Sequence, residues 1–424
     1  MIKFIIKGLL RDHHRSLLPI IMVTIGVFIT VFFHAFMGGL LTDMVDSTAR
    51  FSTGHVKVMS RAYAENSDQV PNDLALTGVN DLMKELKQDY PEMTWVKRIQ
   101  FGGLLDIPDE NGETRAQATV AGMGVDLLSP DSPELKMLNI TNSIVSGHMP
   151  ENPGEILISD DMAKRLEIEL GESSTLISSS MYGSMAIYNF TIVGTIRFGI
   201  EMMDRGALIA DIGDIQLALN MEDATGEILG YLSKGTYNDA EANQIVESFN
   251  ANYADDDSEF APVMGTLKGL SGLSDYLDLA NNMAGTIAFI FVIIMSIVLW
   301  NAGLLGGLRR YGEVGVRLAI GEHKRHIYLS LIYESICIGF VGTVIGTSFG
   351  LTAGYFMQKY GLDLSGAMKN INMMIPLVFK ARITPVTFYI GFFPGLLSTA
   401  LGTALAGIGI YKRQTASLFK ELET

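Results

Sequence analysis

The sequence is poor in cysteine and tryptophan, and four long stretches of it contain no charged residue. Cys337 is the only cysteine among the 424 residues, which excludes a domain held together by disulfide bonds. The uncharged stretches cover residues 16–42, 279–308, 335–358 and 383–411. A helix needs about 20 apolar residues to cross the hydrocarbon core of a bilayer. We therefore predict four transmembrane α-helices, with a long insert separating the first from the other three.

The chain also lacks the short motifs that mark common catalytic sites. There is no Walker sequence (G-x-x-x-x-G-K-[ST]) to hold nucleotide phosphates, and H-E-x-x-H, C-x-x-C and G-x-S-x-G are absent as well. The acidic run at residues 255–259 lacks the spacing of a calcium-binding loop and is interpreted as a solvated loop. We expect no catalytic, cofactor-binding or metal-binding residue in this chain.

Charge is distributed unevenly between the insert and the rest of the chain. The insert, residues 43–278, contains 15 Lys and Arg against 39 Asp and Glu, whereas the remainder contains 16 against 7. Basic residues next to membrane spans mark the cytoplasmic side, and they cluster before residue 16 and again at residues 309–325. The acidic insert is therefore predicted to lie outside the membrane, where its charge excludes nucleic acid as a partner.

These patterns divide the chain into nine predicted segments. In order, they are a cytoplasmic amphipathic N-terminus (1–16), transmembrane helix 1 (17–42), an extracytoplasmic α+β domain (43–278), transmembrane helix 2 (279–308), a cytoplasmic helix (309–326), transmembrane helix 3 (327–358), an external loop (359–382), transmembrane helix 4 (383–411) and a cytoplasmic tail (412–424). A basic flank without regular structure fits the first segment equally well. The first uncharged stretch is longer than the core of a signal peptide, so we expect it to be retained. Four basic residues in the external loop run against the predicted topology.

The extracytoplasmic domain alternates strand-like and helix-like segments. Asn111-Gly112 is a strong hairpin signal between two strand-like arms. The segment EILIS at residues 155–159 is typical of a strand, and a helix is expected to follow it with Asp160 or Asp161 near its N-cap. A two-lobed α+β domain is the natural prediction.

The third span carries a regular series of glycines. They recur at spacings of three or four residues and so lie on one helix face: Gly339, Gly342, Gly346, Gly350 and Gly354. Lipid gives helices no hydrophobic reason to associate, so small residues that allow close backbone approach are the usual means of packing. Helix packing within the chain and a dimer interface both fit this pattern.

Two polar side chains are predicted at membrane depth. His34 lies within the first span, where a polar group faces a cavity or a partner rather than lipid. Glu334, at the edge of the third span, is expected to reach the headgroup region or a basic side chain. With no second ionisable group in the membrane, a structural or cavity-lining role for His34 is favoured over proton transfer.

The segment RRYGEVGVRLAIGEHKRH, residues 309–326, has the spacing of a short rigid helix. Glu313 and Arg317 stand four residues apart, in the favourable order for an ion pair. Gly315 and Ala319 would form a smooth strip beside an apolar stripe. Such a helix is suited to docking in a groove on another protein, although an ordinary basic loop is the alternative.

Within this segment, EVGVRLAIG (residues 313–321) resembles the segment after the second span in the MacB/FtsX/LolC–LolE family of ABC transporter permeases. The positions that match are Glu313, Gly315, Ala319 and Gly321, whereas Arg317 stands one place before the usual basic residue. The segment FSTGHVKVMSRAYAEN (residues 51–66) is similar to the corresponding region of the lipoprotein-release branch. The resemblance covers nearly the whole chain.

The resemblance implies a permease of the bacterial inner membrane, with its large domain in the periplasm. Residues 309–326 would be the coupling helix that contacts the ATPase through Arg310, Glu313, Gly315, Arg317, Ala319 and Gly321. Two copies of a separate ABC ATPase would carry ATP and magnesium, while this chain binds no cofactor. The other implied partners are a second permease, identical or paralogous, membrane lipids, a lipoprotein or other hydrophobic substrate, and an external accessory protein.

Three alternatives to lipoprotein release remain open. An FtsX-like regulator would activate an external cell-wall hydrolase and move no substrate, but its external domain is usually smaller. MacB-like efflux would export peptides or toxins, with the ATPase often fused ahead of the first span. A plain membrane receptor would have no use for the segment at residues 313–321.

Overall fold

A computed structural model gives the three-dimensional structure of the chain. It describes residues 13–270, 272, 285–286, 289–290, 293–294, 296–298, 300, 316–363, 373–374 and 378–412. The chain divides into two compact units. The membrane unit comprises Met1–Asp43, Tyr276–Leu362 and Phe379–Thr424, and the head comprises Met44–Asp275 and Asp363–Val378.

The membrane unit contains long apolar helices. Among the described residues, three helices are long and apolar enough to cross a bilayer, namely Leu17–Thr53, Lys324–Tyr360 and Pro385–Gly407. They correspond to predicted transmembrane helices 1, 3 and 4. The predicted helix 2 (279–308) falls mostly outside the described residues, as do the amphipathic segment up to residue 12 and the tail after residue 412.

The described helices of this unit include α1 (His13–Thr48), α10 (Lys324–Tyr360), α11 (Pro385–Tyr389) and α12 (Ser398–Lys412). Helix α1 runs beyond the predicted boundary at residue 42 and continues as a π-helical turn, Ala49–Thr53. It stops at Gly54, whose φ of 62° is accessible to glycine and breaks the helical path. A second π-helical turn, Phe393–Leu397, follows α11.

The head is built on one ten-stranded sheet with helices packed on it. The strand order is β12-β1-β11-β3-β4-β9-β6-β8-β5, and β7 pairs with both β3 and β8. The strands are β1 (Val56–Ser60), β3 (Thr94–Pro108), β4 (Thr114–Val125), β5 (Ile144–Gly147), β6 (Glu155–Ser159), β7 (Ser173–Ser179), β8 (Met185–Ile196), β9 (Ala207–Asp211), β11 (Glu227–Tyr231) and β12 (Pro262–Thr266). Two short pairs stand apart from it, β2 (Leu76–Thr77) with β10 (Ala224–Thr225) and β13 (Leu362–Asp363) with β14 (Val378–Phe379).

Eight α-helices accompany these strands among the described residues of the head. They are α2 (Arg61–Glu65), α3 (Val79–Asp89), α4 (Pro133–Met137), α5 (Asp160–Arg165), α6 (Glu201–Asp204), α7 (Ile212–Ala218), α8 (Asp239–Asn252) and α9 (Leu267–Leu270). The predicted α+β class is therefore confirmed for the head. Asp160 and Asp161 lie in the first turn of α5, next to the N-cap Ser159, whose side chain accepts the hydrogen bond from the Met162 amide.

The hairpin between β3 and β4 forms where the sequence predicted it. Gly112 takes a φ of 81°, and the Asp109 carboxylate accepts hydrogen bonds from the amides of Asn111 and Glu113. Alternate residues of β6 and β9 point to opposite faces of the sheet, so two apolar cores form, one on each face. A third core lies between β1, β11, α3 and α8 and defines the second lobe. The long strand β3 serves both lobes.

His55, at the start of β1, is a buried neutral side chain of the second lobe. It is 3% exposed, and its Nδ1 accepts a hydrogen bond of 3.0 Å from the Leu232 amide. The rings of Tyr231 and Tyr237 lie edge-on to it at 5.6 and 6.0 Å. Burial lowers the pKa of His55 to about 4.

This lowered pKa predicts that the head loses stability in mild acid. The unfolded chain, with a His pKa near 6.5, binds the proton before the folded head does, so stability is full above pH ~6.5 and declines toward pH 4. The loss from His55 is roughly 2–3 kcal/mol. Urea unfolding at a series of pH values should show this slope in the parent protein and lose it in His55→Asn. His148→Gln, at an exposed histidine, is the control and should keep the slope; an unchanged slope in His55→Asn would contradict the assignment.

Candidate functional site

The described part of the segment between the second and third predicted spans is a short helix that ends in a turn. Residues 316–319 are helical, and the Ile320 amide donates to the Val316 carbonyl at 3.0 Å. Gly321 has a φ of 95°, a left-handed conformation that ends a helix. The prediction of one helix through residue 326 was therefore wrong at this end. His323 is extended, and α10 begins at Lys324.

A cluster of charged side chains stabilises the turn at residues 320–323. Arg317 donates from Nε and Nη2 to the two carboxylate oxygens of Glu322, at 2.7 and 2.9 Å. His326 Nδ1 lies 2.6 Å from Glu322 Oε1. Hydrogen bonds from Arg317 and then from His326 lower the pKa of Glu322. The structure thus gives Arg317 a partner that sequence analysis missed, while Arg310, Glu313 and Gly315 lie outside the described residues.

The corner presents an apolar surface to its surroundings. Val316 is 54% exposed and Ile320 is 81% exposed, and Ala319 and Gly321 are exposed beside them. We call these four residues the docking corner. A large side chain as exposed as Ile320, held on a turn that a bidentate ion pair fixes, is a suitable anchor for a partner's groove.

The five glycines of α10 pack within the chain. All are buried, and four of them face a stripe on α1 made of Val23, Val27, Val31 and Ala35. A Cβ added at Gly346 would lie 2.6 Å from the Thr24 carbonyl oxygen and 2.9 Å from the Val27 Cβ, and one added at Gly350 would lie 2.8 Å from the Val31 Cβ.

The remaining glycine of this series, Gly339, faces the other neighbouring helix. A Cβ there would lie 3.1 Å from the Gly395 carbonyl oxygen and would also meet Thr399. Both neighbours of the glycine face are helices of the same chain, and a dimer interface involving this face stays a prediction.

The last span is held to the other two by small and polar residues. Gly391 approaches Val27, Val31 and Thr347, and a Cβ added there would meet each of them at 2.8–3.0 Å. His34 Nδ1 lies 3.1 Å from the hydroxyl of Thr387, a fully buried residue of α11. His34 therefore joins α1 to α11, which agrees with the structural role predicted for it.

The predicted external loop, residues 359–382, contributes to the head. Residues 363–378 belong to the same compact unit as residues 44–275. The Met374 side chain is 2% exposed in one of the two sheet-face cores, and its amide donates to the Arg197 carbonyl at 3.0 Å. Asn139 Nδ2 donates to the Met373 carbonyl at 3.2 Å. The described residues of the loop thus belong to the head.

A buried ion pair in the head escaped sequence analysis. Arg98 and Glu134, both 0% exposed, form two hydrogen bonds of 3.1 and 2.9 Å. Burial opposes the charge on Arg98, but the Glu134 carboxylate outweighs that effect and the pKa of Arg98 is raised. Arg98 Nη2 also donates to the Tyr231 hydroxyl at 3.4 Å, and that hydroxyl donates to the Ala49 carbonyl at 3.1 Å.

Within the described part of the chain, no group of three or more His, Cys, Asp or Glu side chains could hold a metal ion. The candidate site consists of the exposed apolar docking corner and the packed faces of α1 and α10.

Comparison with known families decides what kind of protein this is. The family described as MacB-like periplasmic core domain matches residues 16–248, and the family described as FtsX-like permease C-terminal matches residues 285–415. The chain belongs to this family of ABC transporter permeases. As a MacB- and FtsX-type permease it is a protein of the inner membrane with a periplasmic core domain, and the resemblance seen in the sequence is confirmed.

Curated relatives carry the name macrolide export ATP-binding/permease protein MacB. The protein from Hyphomonas neptunium is 23% identical over 211 residues, which cover 49% of this chain and 29% of that protein. The protein from Brucella abortus is 27% identical over 122 residues, covering 29% of this chain and 18% of that protein. The chain therefore spans less than a third of the length of either relative.

One solved structure with similarity to the chain is the periplasmic region of MacB from Actinobacillus actinomycetemcomitans. It has a TM-score of 0.35 and 10% sequence identity, and the match covers 52% of this chain and 92% of that chain. We draw no conclusion from a similarity this low.

Proposed function

We propose that this permease works as a mechanical transmitter, in which ATP hydrolysis on a partner ATPase moves the membrane helices and, through them, the periplasmic head. Two ATPase copies and a second permease, identical or paralogous, would complete the transporter. The docking corner is the contact with the ATPase, together with Arg310, Glu313 and Gly315. The cargo is expelled on the periplasmic side.

The proposed topology has four membrane crossings. Residues 373–374 pack on the head, so both lie on one side of the membrane. Between the head and Met374 the chain crosses once through α10, and a return to the same side requires a second crossing before it. The uncharged stretch 279–308 is the segment that supports this crossing.

The observation that carries the mechanical proposal is the packing of α10 against α1. Three glycines of α10, Gly342, Gly346 and Gly350, meet the backbone and the valines of α1 at distances that leave no space for a Cβ. Glycine contacts of this kind join helices into one body. A tightly packed interface is suited to transmitting force and unsuited to passing cargo between these two helices.

We propose a lipoprotein or another strongly hydrophobic molecule of the outer leaflet as the cargo. Removing an acyl chain from a membrane costs about 0.8 kcal/mol per buried CH₂. Two or three chains therefore cost tens of kcal/mol, which calls for ATP and for a periplasmic head or accessory protein that shelters the lipid. The similarity of residues 51–66 to the lipoprotein-release branch supports this cargo.

A second candidate is efflux of a macrolide-like molecule or a peptide. The names of the curated relatives favour it, since those proteins are described as macrolide exporters. Depletion of the permease separates the two candidates. Mature lipoproteins retained in the inner membrane would support lipoprotein release, whereas normal lipoprotein sorting together with raised macrolide sensitivity would support efflux. A defect confined to cell division would point to an FtsX-like regulator.

Substitution of Ile320 should remove the ATPase from the complex. Ile320→Glu places a charge on the most exposed apolar side chain of the docking corner, and we expect at least a tenfold loss of ATPase binding. Glu313→Lys and Gly315→Trp should uncouple ATP hydrolysis from transport while the permease stays inserted in the membrane. Binding is measured by co-purification of the permease with its partner ATPase.

Leu217→Glu is the matched control for this experiment, because Leu217 is a 57% exposed leucine of the head. It should leave the amount of co-purified ATPase unchanged. Equal ATPase recovery with Ile320→Glu and with the parent protein would remove the docking corner from the proposal.

A further inference from the structure

Two chain segments connected to membrane helices enter the head at separate points. The first is the π-helical turn Ala49–Thr53, which continues α1. The second is the pair Met373 and Met374, which lies between α10 and α11. Each segment makes hydrogen bonds inside the head. The residues bonded to the first segment are connected, through further contacts, to the residues bonded to the second.

The first connection is a line of buried polar groups. The Ala49 carbonyl accepts hydrogen bonds from the Gly54 amide at 2.8 Å and from the Tyr231 hydroxyl at 3.1 Å. Tyr231 accepts in turn from Arg98, and Arg98 forms its bidentate pair with Glu134 on α4. Every side chain in this line is less than 10% exposed.

The second connection reaches the same short stretch of the head. Asn139, two residues beyond α4, donates to the Met373 carbonyl, and the Met374 side chain packs in the same core as Leu138 and Ile140. We call residues 133–140 the bridge segment. It is closed on itself by hydrogen bonds from the Leu138 amide to the Glu134 carbonyl and from the Ile140 amide to the Leu135 carbonyl, at 2.9 and 3.1 Å.

We infer that the bridge segment couples the end of α1 to the loop between α10 and α11, and that Tyr231, Arg98, Glu134 and Asn139 are the positioning residues of this coupling. A buried Arg–Glu pair cannot open without leaving an uncompensated charge. A displacement of the α1 end is therefore carried to Glu134 and on to Met373 and Met374. This inference rests on the proposed mechanical function and names the residues through which movement would enter the head.

Hydrogen–deuterium exchange of the full-length protein in nanodiscs tests the coupling without requiring transport. Tyr231→Phe removes the bond to Ala49 and leaves the ring in place. We expect the amides of residues 138–140 and 373–374 to exchange at least threefold faster, although none of them contacts the missing hydroxyl. The control is Tyr253→Phe, which removes a hydroxyl bonded to Glu85 on α3 and should leave these amides unchanged.

A thermodynamic coupling between two sites is reciprocal. A substitution in the bridge segment should therefore also affect hydrogen exchange at the end of α1. Asn139→Ala should speed exchange of the Gly54 amide at least threefold. Asn250→Ala is the matched control, because Asn250 Nδ2 also donates to a methionine carbonyl, that of Met264, at 2.9 Å. Changes confined to residues beside each substitution would overturn the inference.

A transport measurement tests the same residues independently of hydrogen–deuterium exchange. In a complex with its ATPase, Tyr231→Phe and Asn139→Ala should lower the amount of cargo released per ATP at least threefold, with ATPase binding retained, whereas Tyr253→Phe and Asn250→Ala should not. If no ATPase binds the parent protein, the proposed function fails and the exchange result alone decides the coupling. If Tyr231→Phe and Asn139→Ala both released as much cargo per ATP as the parent protein, the positioning role of these residues would be wrong.

Discussion

Replacing Gly346 with leucine should separate α10 from α1 and destabilise the membrane unit. The position has no room for even one methyl group, because a Cβ would lie 2.6 Å from the Thr24 carbonyl oxygen. The obstacle is backbone, which cannot rotate away as a side chain can. Overpacking usually costs about 1–3 kcal/mol, and we expect at least the upper value here. The measurement is the midpoint of thermal unfolding in detergent.

A graded series and an outward-facing control make this prediction specific. Gly346→Ala should lower the midpoint less than Gly346→Leu, because the smaller side chain forces a smaller separation. Ser348→Leu adds a large side chain on the exposed face of the same helix and should leave the midpoint nearly unchanged. If Gly346→Leu and Ser348→Leu had equal midpoints, the packing of α10 on α1 through its glycines would be wrong.

Removing Arg98 alone should strongly destabilise the head, and removing Glu134 as well should restore most of the stability. Arg98→Met leaves the Glu134 carboxylate buried without its partner, a change that typically costs about 3–5 kcal/mol. The double variant Arg98→Met/Glu134→Leu has no uncompensated charge. Urea unfolding followed by fluorescence of the buried Trp95 gives the free energies, in a Trp300→Phe background where Trp95 is the only tryptophan.

An exposed ion pair of the head is the comparison. Lys84 and Asp81 are 2.7 Å apart, yet their side chains are 77% and 89% exposed. Lys84→Met should therefore not shift the urea midpoint measurably, because water solvates the remaining carboxylate. A double variant as unstable as Arg98→Met would show that the ion pair is not what stabilises this part of the head.

Three of the four predicted membrane helices and the class of the head could be predicted because both depend on local patterns. Uncharged stretches of sufficient length identify spans, and Asn111-Gly112 identifies a hairpin, without knowledge of any distant residue. The glycine series was visible for the same reason. The surface that packs against the glycines could not be predicted, since Val23, Val27 and Val31 look like any other apolar residues of a span. Only the fold shows that their spacing of four matches that of the glycines.

The errors have two physical sources. The helix predicted to reach residue 326 stops early, because Gly321 adopts a left-handed conformation that the i,i+4 charge spacing around it does not reveal. A glycine near the end of a helical pattern is a known stop signal, and it was available in the sequence. The ion pair of Arg98 and Glu134 could not be predicted from the sequence, because neither residue differs locally from the many charged residues of an acidic domain.

The central claim is that the docking corner lies in the cytoplasm and binds an ATPase. The most direct test is the rate at which a membrane-impermeant maleimide modifies Ile320→Cys in a Cys337→Ser background. We predict modification only in inside-out vesicles, with a rate that falls when the ATPase is added, while Met185→Cys on the head reacts only in right-side-out vesicles. Modification of Ile320→Cys from the periplasmic side, or a rate that the ATPase leaves unchanged, would contradict the account.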